Sequence, residues 1–141
     1  MSNLGYKTLK KILVVEDDSV SRKIICRFLE KYGTVHIAVN GKEALKLFKK
    51  ALDEKTPYNL ICLDIMMPAM NGHETLEFIR RAEEKSLITG HSRTTIIMTT
   101  ALDSSEHILQ SFNNQCDGYI TKPVTRKKIE NEFSKLNLLL S

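Results

Sequence analysis

The 141 residues, 42% hydrophobic and 27% charged, suit one globular domain that buries roughly two-thirds of its unfolded surface. Three cysteines, Cys26, Cys62 and Cys116, without a CxxC or a close His–Cys spacing argue against a zinc site and a disulfide framework; their odd number fits a reducing compartment, with the cytoplasm as the expected location. The formal charge of +4 comes from Lys and Arg spread along the sequence, so no nucleic-acid binding is expected, and no apolar run is long enough for a membrane span or a signal-peptide core.

Residues 1–10 form a polar leader that is expected to fray, with the domain proper over residues 11–141. Ile12, Leu13, Val14 and Val15 then run straight into Glu16, Asp17 and Asp18. Such an apolar run reads as a strand buried on both faces of a parallel sheet. Two carboxylates about 4 Å apart repel by roughly 4 kcal/mol at an effective dielectric near 20, and a hard cation such as Mg²⁺ relieves that. The plainer alternative is one acid capping the next helix and the others solvated. Residues 19–32 carry Val20, Ile24, Ile25, Phe28 and Leu29 at helical spacing, with Arg22 and its charged neighbours in water and Gly33 as the stop. Residues 34–39 alternate as a second strand. Asn40 is placed to cap a helix over 43–53 that Pro57 breaks. Residues 58–64 form a third strand ending on Asp64.

A loop held by Pro68 follows, and Asn71 with Glu74 has capping-box spacing before a helix over 72–84 whose apolar positions are Leu76, Phe78, Ile79 and Ala82. Residues 85–93 are a polar connector, longer than the architecture needs, as is 53–58. Residues 94–99 form strand four. A fourth helix starts near Asp103, with Ile108, Leu109 and Phe112 inward. Residues 117–121 form strand five. Thr125 is placed to cap a fifth helix with Ile129, Phe133, Leu136 and Leu140 in one stripe. Five strands alternating with five helices predict an α/β fold, a doubly wound parallel sheet with right-handed crossovers. Without a Gly-rich first turn, the flavodoxin-like (βα)5 order 2-1-3-4-5 is favoured. Strands one and three are then neighbours, and their ends bring Glu16, Asp17 and Asp64 to one edge. Strand four adds the Thr100 hydroxyl and strand five the Lys122 ammonium. Acids, a hydroxyl, a cation and an inferred Mg²⁺ suit phosphoryl transfer onto a carboxylate.

With ILVVEDD, LDIMMPAMNG, TTA and GYITKP in this order on these strands, the chain resembles a receiver domain of a two-component response regulator, of the chemotaxis-regulator-like kind, over nearly its whole length. The resemblance implies a phosphorelay switch rather than a turnover enzyme. Asp64 would accept the phosphoryl group from the phosphohistidine of a histidine kinase or a histidine phosphotransfer protein. Asp17, Asp64 and the Met66 backbone carbonyl would hold Mg²⁺, with Glu16 acting through water. Lys122 would pair with the acyl phosphate, or with Asp17 before phosphorylation. Thr100 would reorient toward the phosphoryl group and Tyr119 would turn inward with it, unless Tyr119 merely fills an apolar groove. The face of the fourth helix, fifth strand and fifth helix would then change its preference for an unknown effector. Asp18 has no family role and is read as solvated or capping, and Thr99 is expected to point away from the site. Met66, Met67 and Met70 read as loop packing, the four histidines do not cluster at metal spacing, and Cys62 reads as core. Val124 departs from the family's usual aromatic there. Met66 and Leu102 place apolar groups where the family tunes hydrolysis, so a long-lived phosphoryl group is expected. A haloacid-dehalogenase-type hydrolase needs a second acid where Met66 stands, and a phosphate-independent interaction module would not need the full acid, hydroxyl and lysine set.

Overall fold

The computed structural model describes residues 7–65, 71–101 and 115–139, with the backbone alone at His91 and Leu139. Five parallel strands make the main sheet: β2 (Lys11–Val15), β3 (Thr34–Ala38), β4 (Leu60–Asp64), β5 (Thr95–Thr100) and β6 (Gly118–Thr121), in the order β3-β2-β4-β5-β6. Counted over the five predicted strands, this is 2-1-3-4-5, the flavodoxin-like doubly wound arrangement. Helices α1 (Ser19–Leu29), α2 (Gly41–Asp53), α3 (Gly72–Lys85) and α4 (Arg126–Lys135) cover it. The predicted helix near Asp103 lies outside the described residues.

Alternation along each strand builds two cores. Leu13, Val15, Ile61, Leu63, Ile96 and Met98 face α2 and α3, where Phe48, Leu76 and Ile79 close the layer. Ile12, Val14, Leu60, Cys62, Ile97 and Ile120 face the other way, onto Ile25, Leu29, Ile129 and Phe133. Because β2 and β4 bury side chains on both faces, they lack polar alternation. Cys62 is core as expected, and burial pushes its thiol up to about 12.

Helix starts follow their caps. Asp18, Asn40, Asn71 and Thr125 each accept a hydrogen bond from the backbone three residues on, at 2.8, 2.8, 2.9 and 3.2 Å. Helix ends depart from expectation. Gly33 lies past the end of α1, but its role is a close approach: an added Cβ would sit 2.7 Å from the Leu9 carbonyl oxygen. α4 stops at Lys135, where the chain turns through Asn137 at φ 56°, so the expected stripe ends before Leu140, which lies outside the described residues. The chain then enters β7 (Leu138–Leu139), which pairs in parallel with β1 (Lys7–Thr8). From Lys7 onward the expected leader is therefore part of the fold: Leu9 is fully buried, and Lys7 donates to the Arg93 carbonyl and the Thr95 hydroxyl at 2.5 and 3.1 Å.

α3 also differs from its apolar pattern. Phe78 is exposed, while Arg80 and Glu83 are buried. Arg80 donates to Glu83 at 2.7 Å, to the Thr94 carbonyl at 2.8 Å, to Asp117 at 3.0 Å and to the Gln115 carbonyl at 2.8 Å. Glu83 in turn accepts from the Thr94 amide at 2.7 Å. This network ties α3 to the N-terminal ends of β5 and β6, and so sets the sheet's opposite edge. The connectors contribute anchors rather than slack. Within 53–58, Thr56 accepts from the Lys11 ammonium through its carbonyl and hydroxyl at 2.8 and 3.1 Å, and residues 85–93 fold through left-handed Leu87 and Gly90 into a single 3-10 turn, Gly90–Ser92.

Candidate functional site

The C-terminal ends of β2 and β4 are adjacent, as the pairing of Val15 with Leu63 requires. Glu16, Asp17 and Asp64 each place a carboxylate oxygen there, all within 4.8 Å of one another. Glu16, the first residue past β2, is buried, while Asp17 after it is exposed. That difference in burial goes with the partner of Lys122. Its ammonium lies 3.0 Å from Glu16 and 3.4 Å from Asp64. The expected Lys122–Asp17 pair does not form, because Asp17 faces solvent.

The loop is held from both sides. Asp18 caps α1 through the Ser21 amide, and that bond holds its carboxyl below the ordinary range. Arg22, expected in water, instead reaches back to the Glu16 and Asp17 carbonyls at 3.1 and 3.4 Å. No sequence pattern pointed to that contact. Across the cluster, Gly72 at the start of α3 donates to the Ile65 carbonyl at 3.0 Å. A Cβ at Gly72 would lie 2.8 Å from the Ile65 Cα, so α3 can approach the end of β4 only with glycine here. Gly72→Ala is expected to cost roughly 1–3 kcal/mol through this overlap. Urea unfolding measures it, and a variant as stable as the parent contradicts the close-approach account.

Burial dominates the titration of Glu16 and pushes its carboxyl up to about 7; the Lys122 ammonium pulls it down and the Asp64 charge pushes it up again. For Lys122, burial works against the charge, but the two carboxylates outweigh it and its pKa is raised. The folded form therefore holds a proton on Glu16 more tightly than the unfolded chain does. Stability without metal is present below the ordinary glutamate pKa and falls as pH rises toward 7, by at most about 3 kcal/mol. A divalent cation would compete with that proton and flatten the fall. Denaturant midpoints from pH 5 to 8, with and without Mg²⁺, should show this. The same fall in Glu16→Gln would remove Glu16 as its cause.

The donor set fits a hard cation on its own chemistry. Glu16 Oε1 is buried and makes no aligned hydrogen bond, despite the nearby ammonium, and it sits beside two further carboxylates. Met66, expected to add a carbonyl, lies outside the described residues, as does Leu102.

The hydroxyl and aromatic positions lie one strand over. Thr100 is fully buried at the end of β5, and its carbonyl accepts the Lys122 amide at 2.7 Å. By alternation it continues the face of Ile96 and Met98. Tyr119 is half-buried against that same core, and Met98 pairs with it across β5 and β6. Thr99 is buried on the opposite face, registered against Asp64. Val124 packs against the other core. His36 is half-buried and hydrogen-bonded to the Tyr58 hydroxyl at 2.8 Å.

Comparison with known proteins agrees with this geometry. The model of the response regulator receiver domain matches residues 12–134. The osmosensing histidine protein kinase SLN1 of Saccharomyces cerevisiae is 30% identical over 126 residues, which cover 88% of this chain and 10% of that protein. The chain thus spans about a tenth of the length of that relative. Among solved structures, the co-crystal of the S. cerevisiae histidine phosphotransfer protein Ypd1 with the receiver domain of Ssk1 matches with a TM-score of 0.74 at 26% identity, covering 93% of this chain and 91% of that one. The receiver domain of the histidine kinase CKI1 from Arabidopsis thaliana, complexed with Mg²⁺ and BeF3⁻, matches with a TM-score of 0.71 at 27% identity, covering 89% of this chain and 90% of that one. Its strand order, its acidic strand ends and the family model together make this chain a member of the response regulator receiver domain family.

Proposed function

We propose that this receiver domain is a phosphoacceptor switch in a phosphorelay and that Asp64 is the accepting residue. The observation that carries the reading is the meeting of Glu16, Asp17 and Asp64 within 4.8 Å, with the Lys122 ammonium 3.4 Å from Asp64. An Asp64 carboxylate oxygen attacks the phosphorus of a phosphohistidine on a histidine kinase or a histidine phosphotransfer protein. The new O–P bond forms as the P–N bond breaks, and the imidazole leaves with the electron pair and takes up a proton. Asp17 and Asp64, with the Met66 carbonyl and with Glu16 through water, would hold Mg²⁺, which supplies neutralising charge to the phosphoryl oxygens. Lys122 supplies a second positive charge from the other side of Asp64. It already lies 3.0 Å from Glu16 and 3.4 Å from Asp64, within reach of a group on the acceptor.

The phosphoryl group adds roughly one negative charge beside Lys122. Thr100 donates its hydroxyl to it, and Tyr119 follows, since both lie on the face that covers the first core. That biases a two-state equilibrium, read out on the face formed by the fourth predicted helix, β6 and α4. The domain is regulatory: no catalytic turnover follows beyond slow loss of its own phosphoryl group. Because the sequence puts apolar Met66 and Leu102 two positions past Asp64 and Thr100, that loss should take longer than seconds in neutral Mg²⁺ buffer, as followed by radiolabel decay; decay within seconds would contradict the expected shielding. Action in the cytoplasm accords with the free thiols of Cys26, Cys62 and Cys116 and with the lack of a membrane-length apolar helix among the described residues.

A Mg²⁺ titration followed by NMR tests the reading against a phosphate-independent module. Shifts should concentrate at the amides of residues 16–18 and 64–65 and be lost in Asp17→Asn. No shift at millimolar Mg²⁺ would favour the module.

A further inference from the structure

Four of the six large hydrophobic side chains that are exposed among the described residues gather on one flank: Val20 at 64%, Ile24 at 44%, Ile37 at 45% and Val39 at 38%. Ile24 and Ile37 line the same open hollow, of about 520 Å³, between α1 and β3. β3 is the outer strand of the sheet, and among the described residues it pairs with β2 alone. The Thr34 amide and the Ala38 carbonyl bond toward β2, at 3.0 and 3.1 Å. Alternation therefore turns the amides and carbonyls of Val35 and Ile37 outward, as unpaired ladder positions. Natural edges are blunted by lysine, proline or a bulge, but Thr34–Ala38 contains neither residue and pairs in continuous register.

The charge around this edge is mostly positive: Arg22, Lys23 and Arg27 line the hollow against one acid, Glu30. α1 carries Arg22, Lys23 and Arg27 and no acid within its span; α2 carries four lysines against Glu43 and Asp53. Together the two helices hold +5, more than the +4 of the whole chain. Although the basic residues are spread along the sequence, the fold collects them on the two helices nearest this strand in the chain. Two copies of such an edge repel each other. An apolar centre with a basic rim fits a polypeptide better than a nucleic acid, whose backbone offers nothing to Ile24 and Ile37.

We infer that the open edge of β3 is a docking site for an acidic, extended polypeptide segment, which adds a sixth strand beside β3 and seats alternate apolar side chains in the hollow between Ile24 and Ile37. Its main chain would meet the free groups of Val35 and Ile37, and its acids would face the α1 and α2 cations. Nothing in this depends on Asp64 or on phosphorylation.

The test uses the full 141-residue chain and a synthetic ten-residue peptide alternating valine with glutamate, with a valine–lysine peptide and a single-stranded oligonucleotide of equal length as controls. The glutamate peptide should shift the amides of residues 34–39 and slow hydrogen exchange at Val35 and Ile37 by tenfold or more. Ile37→Lys should weaken it at least tenfold, and Arg27→Glu should weaken it while improving the lysine peptide. Both side chains are exposed, and a dispersed amide spectrum with an unchanged urea midpoint reports that each variant is folded. Shifts without exchange protection would mean side-chain docking rather than strand addition and overturn the proposal. So would stronger binding of the oligonucleotide, concentration-dependent protection without peptide, which marks self-pairing, or no response at millimolar peptide.

Discussion

Asp64→Asn is expected to abolish phosphate incorporation from acetyl phosphate in Mg²⁺ buffer. The asparagine keeps the shape of the side chain, so α3 can still approach the end of β4 and Lys122 keeps its ion pair with Glu16. What goes is the nucleophile: an amide oxygen beside an ammonium does not attack phosphorus. Lys122→Ala should behave differently. It leaves the nucleophile in place but removes a charge that neutralises the incoming oxygens, and it strands Glu16, so labelling should persist at a reduced rate while the switch response is lost. Stoichiometric labelling of Asp64→Asn, measured by intact-protein mass spectrometry, would reject Asp64 as the acceptor.

The largest stability effect should come from the far edge of the sheet. Arg80→Ala leaves the Glu83 carboxylate, 2% exposed, without its close guanidinium partner and with only Arg93 at 3.8 Å, and it unties the Thr94 carbonyl and Asp117 together. Removing one partner of a buried ion pair costs about 3–5 kcal/mol. For a chain of this size that lowers the melting temperature by roughly 10–15 °C. Glu83→Gln keeps an acceptor for the Thr94 amide and should cost less. Arg81→Ala, one residue along, loses an exposed pair with Glu77 and a contact with the exposed Phe78 ring, and should cost under about 1 kcal/mol. Equal costs for the Arg80 and Arg81 variants in urea unfolding would contradict the buried network.

The sheet and its order were legible because β2, β4 and β5 carry unbroken apolar runs, which no helical period explains. The capping residues Asn40, Asn71 and Thr125 were legible because their chemistry is local. Arg80 and Glu83 were not. An i,i+3 pair of opposite charges looks the same in sequence whether it faces water or the sheet, and only the tertiary position of Thr94 and Asp117 decides. The two-residue strands β1 and β7 have no period to detect. Phe78 sat at an apolar position of α3, yet the buried face rotates to include Arg80 instead.

At the site, the strand-end acids announced themselves by type and position. Which of them Lys122 would pair with did not: both faces of β2 are buried, so alternation alone does not separate Glu16 from Asp17.

The most direct test of the account is to locate the phosphate. After incubation with acetyl phosphate and Mg²⁺, borohydride reduction cleaves an acyl phosphate and leaves homoserine in place of the aspartate that carried it. Peptide mapping should find homoserine at Asp64, dependent on Mg²⁺. Homoserine at Asp17 or Asp18, or none anywhere despite bound phosphate, would contradict it.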